Sequence, residues 1–526
     1  MPTSTDPLRD GVASSFIQAH PADVIGVLHG FDRLRLAGTL RSLYHPDVMQ
    51  YYLRRSGVLW KDFKTFATGL TERIRQRAVA LAQTQHRPVI YLPSSRTTKE
   101  TLARQIAERD HVRSGLIALF SCVEPCRTWF ARGNHATQKL ELKLQWGKCI
   151  HLYFYFLHEQ LGFLHLRLQT WFPFLLQVCL NGREWLARQM DAAGLAYHRE
   201  DNCFPWIADL PRAQALMAQQ ERTDWPALLR PLVEQCHPLH AEITRPIERD
   251  YYWTAAESEY ATDVMFRDRA ALERIYPTLV HHSVMHLGSE QVLRFLGRPR
   301  GPHAGDEIKT DRRRGEDGVR VKHWLNTNSQ KLYDKGSVLR SETTINEPKD
   351  FRVWRGPEGN PAGQMQWRIL RRSVADLHRR AEVCRAACDR HLDALAAVNV
   401  KTPLAEEAAG VCRAVKKDGR RHRALNPLAE PDAALLAAVN RGEYALNGFR
   451  NRDVRQTLHG LNGDVVTRRR QMGRVGRQLA LLRAHGLIRK VSRTHRYLVT
   501  EKGRRVITAL LAARRANTEQ LIAFAT

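Results

Sequence analysis

The chain has 526 residues, 43% of them hydrophobic and 26% charged, and 82 Lys+Arg against 54 Asp+Glu give a formal net charge of +28. That balance excludes a disordered chain and exceeds what one small core accommodates, so a globular α+β protein of several domains is expected. The surplus charge points to a polyanion, with nucleic acid ahead of an anionic membrane surface, and the richest apolar run (171–180) is broken by Pro173 and Gln177, which excludes a membrane span.

The opening residues MPTSTDPLRDG show no signal-peptide pattern, and nine scattered cysteines lack a disulfide framework, so a cytoplasmic protein is expected. Residues 1–85 read as a mainly helical N-terminal domain, although 24–40 also fits a β-hairpin turning at Gly30 to Asp32. Residues 86–204 read as an α/β domain: a strand at 89–92, a helix at 99–109 and a strand at 115–122. An antiparallel run follows at 140–144, 150–157, 163–170 and 174–180, closed by a helix at 183–193. Residues 205–298 read as helical, and 298–318, rich in Gly, Pro and charge, as an exposed basic loop. Residues 319–400 read as a β-hairpin patch followed by a long helix from 366 to 398, with a basic linker at 401–427.

Within that patch, Gly336-Ser337 separates two alternating runs, the signature of a two-residue hairpin turn. Counting outward pairs Lys335 with Val338, Tyr333 with Arg340 and Lys331 with Glu342, all on one face of the sheet. The face is cationic and phenolic, which makes Lys331, Lys335 and Arg340 candidate phosphate contacts. The pattern Lys331-x-Tyr333-Asp334-Lys335 followed by Leu339-Arg340-x-Glu342 resembles a segment of phage and plasmid replication initiators, enzymes that nick DNA through a tyrosine. The resemblance spans about 20 residues and implies a catalytic role for Tyr333 and Glu342. The residues alone favour a hairpin held by a Lys331–Glu342 pair and an Arg340–Tyr333 stack.

A second constellation is acidic. Glu259 and Asp263 stand four apart in a predicted helix and so share a face, and Asp32 lies at the predicted N-terminal turn. This loosely resembles the acidic ligands of RNase H-like nucleases and transposases, which implies Mg²⁺ or Mn²⁺ as the cofactor of a catalytic site. Salt bridges to the many basic residues are the alternative employment. His151, His158 and His165 fall on or beside strands, and His281, His282 and His286 cluster in a helix-like stretch; ordinary buried hydrogen bonding accounts for both groups. Cys122/Cys126 and Cys384/Cys388 are each four apart, but no second Cys/His pair of zinc spacing stands nearby. No phosphate-binding glycine loop occurs, so no nucleotide cofactor is expected.

Residues 429–526 form the last predicted domain. Gly486 ends a helix, two short strands follow at 488–491 and 496–499, and Glu501-Lys502-Gly503 opens a final helix. The Gly-Leu-Ile start and the Tyr-x-x-Thr-x-Lys-Gly close resemble the wing and last helix of MarR-like winged-helix proteins, which implies a DNA-binding fold. On the preceding helix Met472, Val475, Leu479 and Leu482 fall inward, while Arg470, Arg474 and Arg477 line the opposite face. With Arg469, Arg489, Arg493, His495 and Arg496 they make up the candidate nucleic-acid surface, in a stretch (441–515) holding 19 Lys+Arg against 4 Asp+Glu. The expected function is DNA processing by a transposase-like or replication-initiator-like protein of a mobile element. The alternative is a non-enzymatic regulator or a binder of structured RNA. Oligomeric state stays open.

Overall fold

The computed structural model describes residues 15–517 apart from 95, 97, 135–137, 286, 298–307, 316–317, 358–359, 361–362, 397–403, 418, 442–443, 445–447, 461–463 and 492–493. The protein is a mixed α/β chain in which one large sheet organises everything up to residue 396.

The first half runs α1 (Ser15–Ala19), β1 (Val24–Thr39), α2 (Pro46–Arg55), α3 (Phe63–Thr84), β2 (Val89–Tyr91), α4 (Lys99–Arg109), β3 (Gly115–Asn134), β4 (Lys139–His158), β5 (Gly162–Gln169), β6 (Leu176–Asn181) and α5 (Gly182–Ala192). A small hairpin, β7 (Tyr197–Glu200) and β8 (Cys203–Ile207), leads to α6 (Leu210–Ala218), α7 (Trp225–Cys236) and α8 (His240–Thr244). Then come β9 (Tyr252–Phe266), α9 (Arg269–Met285), α10 (Ser289–Phe295) and four consecutive strands, β10 (Ile308–Gly315), β11 (Gly318–Leu325), β12 (Asn328–Lys335) and β13 (Val338–Ile345). The short pair β14 (Arg352–Arg355) and β15 (Gln366–Ile369) precedes α11 (Leu377–Ala396).

Eleven strands pair in the order β10-β11-β12-β13-β9-β1-β6-β5-β4-β3-β2, and every pairing but β2–β3 is antiparallel. The segments divided at 85, 204 and 298 by sequence therefore contribute strands to a single sheet. One face of β9, β12 and β13 is covered by α11: Ser341 and Gln330 meet His391, and Thr343 meets Cys388. At the other end α4 lays Ala103 and Ile106 on Phe120 and Tyr155, a separate apolar cluster.

Four local expectations change. Residues 24–40 form one strand, not a hairpin, and the expected turn is a β-bulge: Phe31 pairs with Tyr260 and Arg33 with Glu259, leaving Asp32 as the extra residue. Residues 252–266, read as helix, are the central strand β9. Its second half, Tyr260 to Phe266, is buried on both faces and loses its clean alternation, and a helical period then fits the same residues. The helix expected from 366 starts at Leu377, because 366–369 pairs with 352–355 instead. In the expected basic loop, residues 308–315 form edge strand β10, whose Lys309, Arg312, Arg313 and Arg314 suit a position where unpaired backbone must be kept from other chains. The β12–β13 register matches the sequence count pair for pair.

The C-terminal residues build their own core. They comprise α12 (Leu404–Ala409), β16 (Val415–Lys417), β17 (Arg420–His422), α13 (Glu430–Val439), β18 (Phe449–Arg450), α14 (Asn451–His459), α15 (Val465–Ala484), β19 (Ile488–Lys490), β20 (Arg496–Val499) and α16 (Glu501–Arg515). Val475, Leu479 and Leu482 of α15 meet Ile488, Val506 and Ile507 inside it. Met472, placed inward by sequence, is 45% exposed, one turn beyond where that core ends. Gly503 is required at the start of α16: a Cβ there would lie 2.0 Å from the Leu487 carbonyl oxygen. Contacts with the sheet body are polar. Arg294 donates to Asn440 (3.0 Å) and Thr508 (2.8 Å), and Arg450 and Arg496 lie 5.4 and 4.4 Å from the ring centre of Trp354.

Candidate functional site

The bulge at Asp32 coincides with the point where β6 stops and α5 begins. Asn181 caps α5 by accepting from the backbone N–H groups of Arg183 and Glu184, and Gly182 approaches so closely that a Cβ would sit 1.8 Å from the Phe31 carbonyl oxygen. This turn drives Arg183 into the interior beside β1 and β9. The hairpin connecting β7 to β8 brings Asn202 to the same place, and β12 and β13 supply the rest.

The result is a buried ionic cluster. Arg340 is fully buried; its Nε and Nη2 donate to the Asp263 carboxylate at 2.6 and 2.8 Å, and its Nη1 donates to Asp32 Oδ1 at 2.9 Å. Arg183 reaches Asp263 at 2.9 Å, and the Asn202 amide donates to Asp32 Oδ1 at 2.8 Å. Next to this group the Lys331 ammonium bridges Glu259 (2.8 Å) and Glu342, while the Tyr333 hydroxyl donates to the other oxygen of Glu342. Carboxylate oxygens of Asp32, Glu259 and Glu342 lie within 4.8 Å of one another. Beside them opens a cleft of about 140 Å³, lined by Asp32, Arg33, Arg104, His165, Asn202 and Glu259 among others.

The environment sorts the four carboxylates. Burial would raise Asp263, but Arg183 and Arg340 outweigh it and hold the group below the usual range. Burial likewise opposes Glu342, and Lys331 with the Tyr333 hydroxyl keeps it low. At Asp32 burial wins over Arg340, and at Glu259 burial and the nearby Glu342 charge win over Lys331, so both sit above the usual carboxylate range. These two raised groups are the ones that line the cleft. Asp32, Glu259 and Glu342 would offer three hard oxygen ligands to a divalent cation, whose charge would offset the burial that raises the first two. Tyr333 is held well above its ordinary value by burial and then by Glu342. Such a phenol keeps its proton, the opposite of an activated nucleophile.

All five sequence-selected candidates for catalysis, Asp32, Glu259, Asp263, Tyr333 and Glu342, thus meet in one cluster. Lys331 and Arg340 are not surface phosphate contacts: both are buried in ion pairs, because their face of the sheet also carries the carboxylates of neighbouring β9 and β1 and is met by the β7–β8 connection. Lys335 is half-buried and pairs with Asp201 at 2.9 Å. Arg183 and Asn202 escaped the sequence reading. The only local sign of the former was the Asn-Gly-Arg helix start, and of the latter a turn residue between two short strands.

On the C-terminal unit, Arg469, Arg470, Arg474 and Arg477 of α15, Arg489 of β19 and His495 are exposed; Arg496 is half-buried against Trp354, and Arg493 lies outside the described residues. The other histidines and cysteines fall mainly to structural roles. His158 accepts from the backbone of its own turn, His165 packs on Tyr155, His281 and His282 sit on α9, and His286 lies outside the described residues. Cys384 and Cys388 are buried thiols of α11 against β13. In the aromatic segment 169–174, Phe172 and Phe174 are fully buried, with Phe172 in tilted or edge-on contact with Tyr52, Phe63 and Phe174. Among the described residues no helix is long and apolar enough to cross a membrane. Compared with known proteins, the chain matches no family model, no curated protein and no solved structure.

Proposed function

We propose that this protein binds nucleic acid through its C-terminal unit and processes DNA at the Asp32–Glu259–Glu342 cluster, as a transposase-like or replication-initiator-like protein does. The observation that carries the reading is the convergence of carboxylates from β1, β9 and β13 at a cleft on a strongly basic protein. Asp32, Glu259 and Glu342 would hold Mg²⁺ or Mn²⁺, which when bound would activate water and stabilise the charge of an in-line phosphodiester displacement. Arg33 and Arg104, on the rim of the cleft, are placed to meet phosphate oxygens. Asp263 and Arg340 position Asp32 rather than touch substrate. For the C-terminal unit we propose a winged helix, with α15 as the element presented to duplex DNA and the β19–β20 pair as the wing. The support is the helix–helix–hairpin–helix order and the exposed arginines of α15.

Incubation of supercoiled DNA with the protein and Mn²⁺ or Mg²⁺ tests the catalytic part. Nicking or linearisation by wild type, lost in Asp32→Asn and Glu259→Gln, is the expected result; intact DNA under both metals overturns it. One observation favours a second reading. Lys331, Arg340 and Arg183 already compensate most of the cluster's negative charge, which suits a non-enzymatic binder of DNA or structured RNA whose cluster only holds the sheet together.

A further inference from the structure

The other end of the sheet carries a second group of ligand-type side chains that the proposed chemistry does not use. Cys126 of β3 and Cys149 and His151 of β4 project from one face of adjoining strands, since Cys126 pairs with Gly147 and Glu124 with Cys149. Their sulfurs are 3.4 Å apart, and Cys149 Sγ lies 4.0 Å from His151 Nδ1. One ligand atom from each of the three falls within 4.8 Å of the others.

We infer that Cys126, Cys149 and His151 form a zinc site with one coordination position left for an external ligand. The separations suit it. With Zn–S of about 2.3 Å and Zn–N of about 2.0 Å, tetrahedral geometry puts sulfurs about 3.8 Å apart and sulfur about 3.5 Å from nitrogen. Small rotamer adjustments cover the differences. A pair of thiols and an imidazole is a donor set that selects a borderline-soft ion over Mg²⁺ or Ca²⁺, which want oxygen. The His151 ring is almost wholly buried, yet its Nε2 has no partner and its Nδ1 reaches only Cys149, through the carbonyl oxygen (3.2 Å) and the sulfur. A buried imidazole so poorly satisfied is costly, and zinc on Nδ1, the nitrogen that faces Cys149 Sγ, would use its lone pair. The charged groups around it, Glu124, Arg167 and Lys99, are already engaged with one another and with Tyr153, so none takes a ligand position.

Co²⁺ titration of the full chain, followed by the thiolate-to-cobalt charge-transfer band and by displacement with Zn²⁺, tests the site independently of any DNA chemistry. One equivalent of Co²⁺ with that band is expected, together with a rise in melting temperature on adding Zn²⁺. Cys126→Ser and Cys149→Ser should each weaken binding beyond the about 10–100-fold that loss of a supporting hydrogen bond costs, and the double variant should abolish the band. His151→Gln should shift the visible spectrum, and Cys412→Ser, an exposed thiol elsewhere, should change nothing. The melting transition of each metal-free variant checks that it folds. No band in wild type, a band retained by the folded double variant, or a Cys126–Cys149 disulfide that excludes cobalt would each overturn the inference.

Discussion

Replacing Arg340 by Met keeps most of the side-chain volume and removes the guanidinium on which two aspartates depend. Four hydrogen bonds go: two to Asp263 (2.6 and 2.8 Å), one to Asp32 (2.9 Å) and one to the Asn202 carbonyl (2.6 Å). Asp263 retains Arg183 at 2.9 Å, whereas Asp32 retains the Asn202 amide and a distant Arg183 at 3.9 Å. Stranding a buried charge in this way costs about 3–5 kcal/mol, a large share of the about 5–15 kcal/mol that holds a domain together. Urea unfolding of the full chain, followed by tryptophan fluorescence, measures the loss. Asp32→Asn in the Arg340→Met background removes the stranded charge and should return about 1–3 kcal/mol. The pH dependence carries a sign. Asp263 is depressed in the folded state, so its contribution is present above the unfolded value near about 3.9 and is lost as pH falls through the folded value. Because Arg340 supplies part of that depression, the gap between wild type and variant should narrow as pH falls below the unfolded value of about 3.9. A loss under about 1 kcal/mol, or full additivity of the two substitutions, would refute the reasoning.

Other outcomes follow from the same geometry. Lys331→Met removes the ammonium between Glu259 and Glu342; the variant should melt lower than wild type, and Mn²⁺ should restore its melting temperature more than it raises that of wild type. An absence of any Mn²⁺ effect on either protein would exclude a metal at these carboxylates. Changing Arg470, Arg474 and Arg477 together to Ala should weaken duplex binding and flatten its salt dependence by about three units in fluorescence anisotropy, and an unchanged slope would place the DNA elsewhere. His237 is fully buried with neither ring nitrogen partnered, and burial lowers it to about 3. The unfolded chain takes up a proton below about 6.5 that the folded one refuses, so stability is lost as pH falls through that window. His237→Leu escapes this, and its advantage over wild type should grow by about 2 kcal/mol between pH 6.5 and 5. A gap that stays constant with pH would show that the imidazole charges freely in the fold.

The parts of the fold legible in sequence are those set by short-range chemistry. Gly336 marks the β12–β13 turn and period two does the rest, so Tyr333, Arg340, Lys331 and Glu342 come out in the right register. The helix at 99–109 is recovered with its bounds for the same reason. β9 was not, because its second half, Tyr260 to Phe266, is buried on both faces and shows no alternation to betray its period. Glu259 and Asp263 nonetheless shared a face under the wrong assignment, since a spacing of four returns to the same side in a helix and in a strand alike. Arg183 and the β7–β8 connection belong to the cluster only through the bulge at Asp32, and a one-residue insertion in a pairing leaves no mark on the bulged strand's own sequence. The inward turn of Lys331 and Arg340 depended likewise on which strand lay beyond β13.

The sheet order has a consequence for how the chain is made. β1 leaves the ribosome before its partners: one of its edges waits for β6 and the other for β9, which begins roughly 210 residues after β1 ends. At about 5–20 residues per second this strand spends roughly 10–40 s with that edge unsatisfied. β9 in turn stays exposed until β13 arrives. Nascent chains stopped before residue 345 would therefore offer unpaired backbone to one another, so expression of fragments ending there should demand holdase chaperones where the 526-residue chain does not.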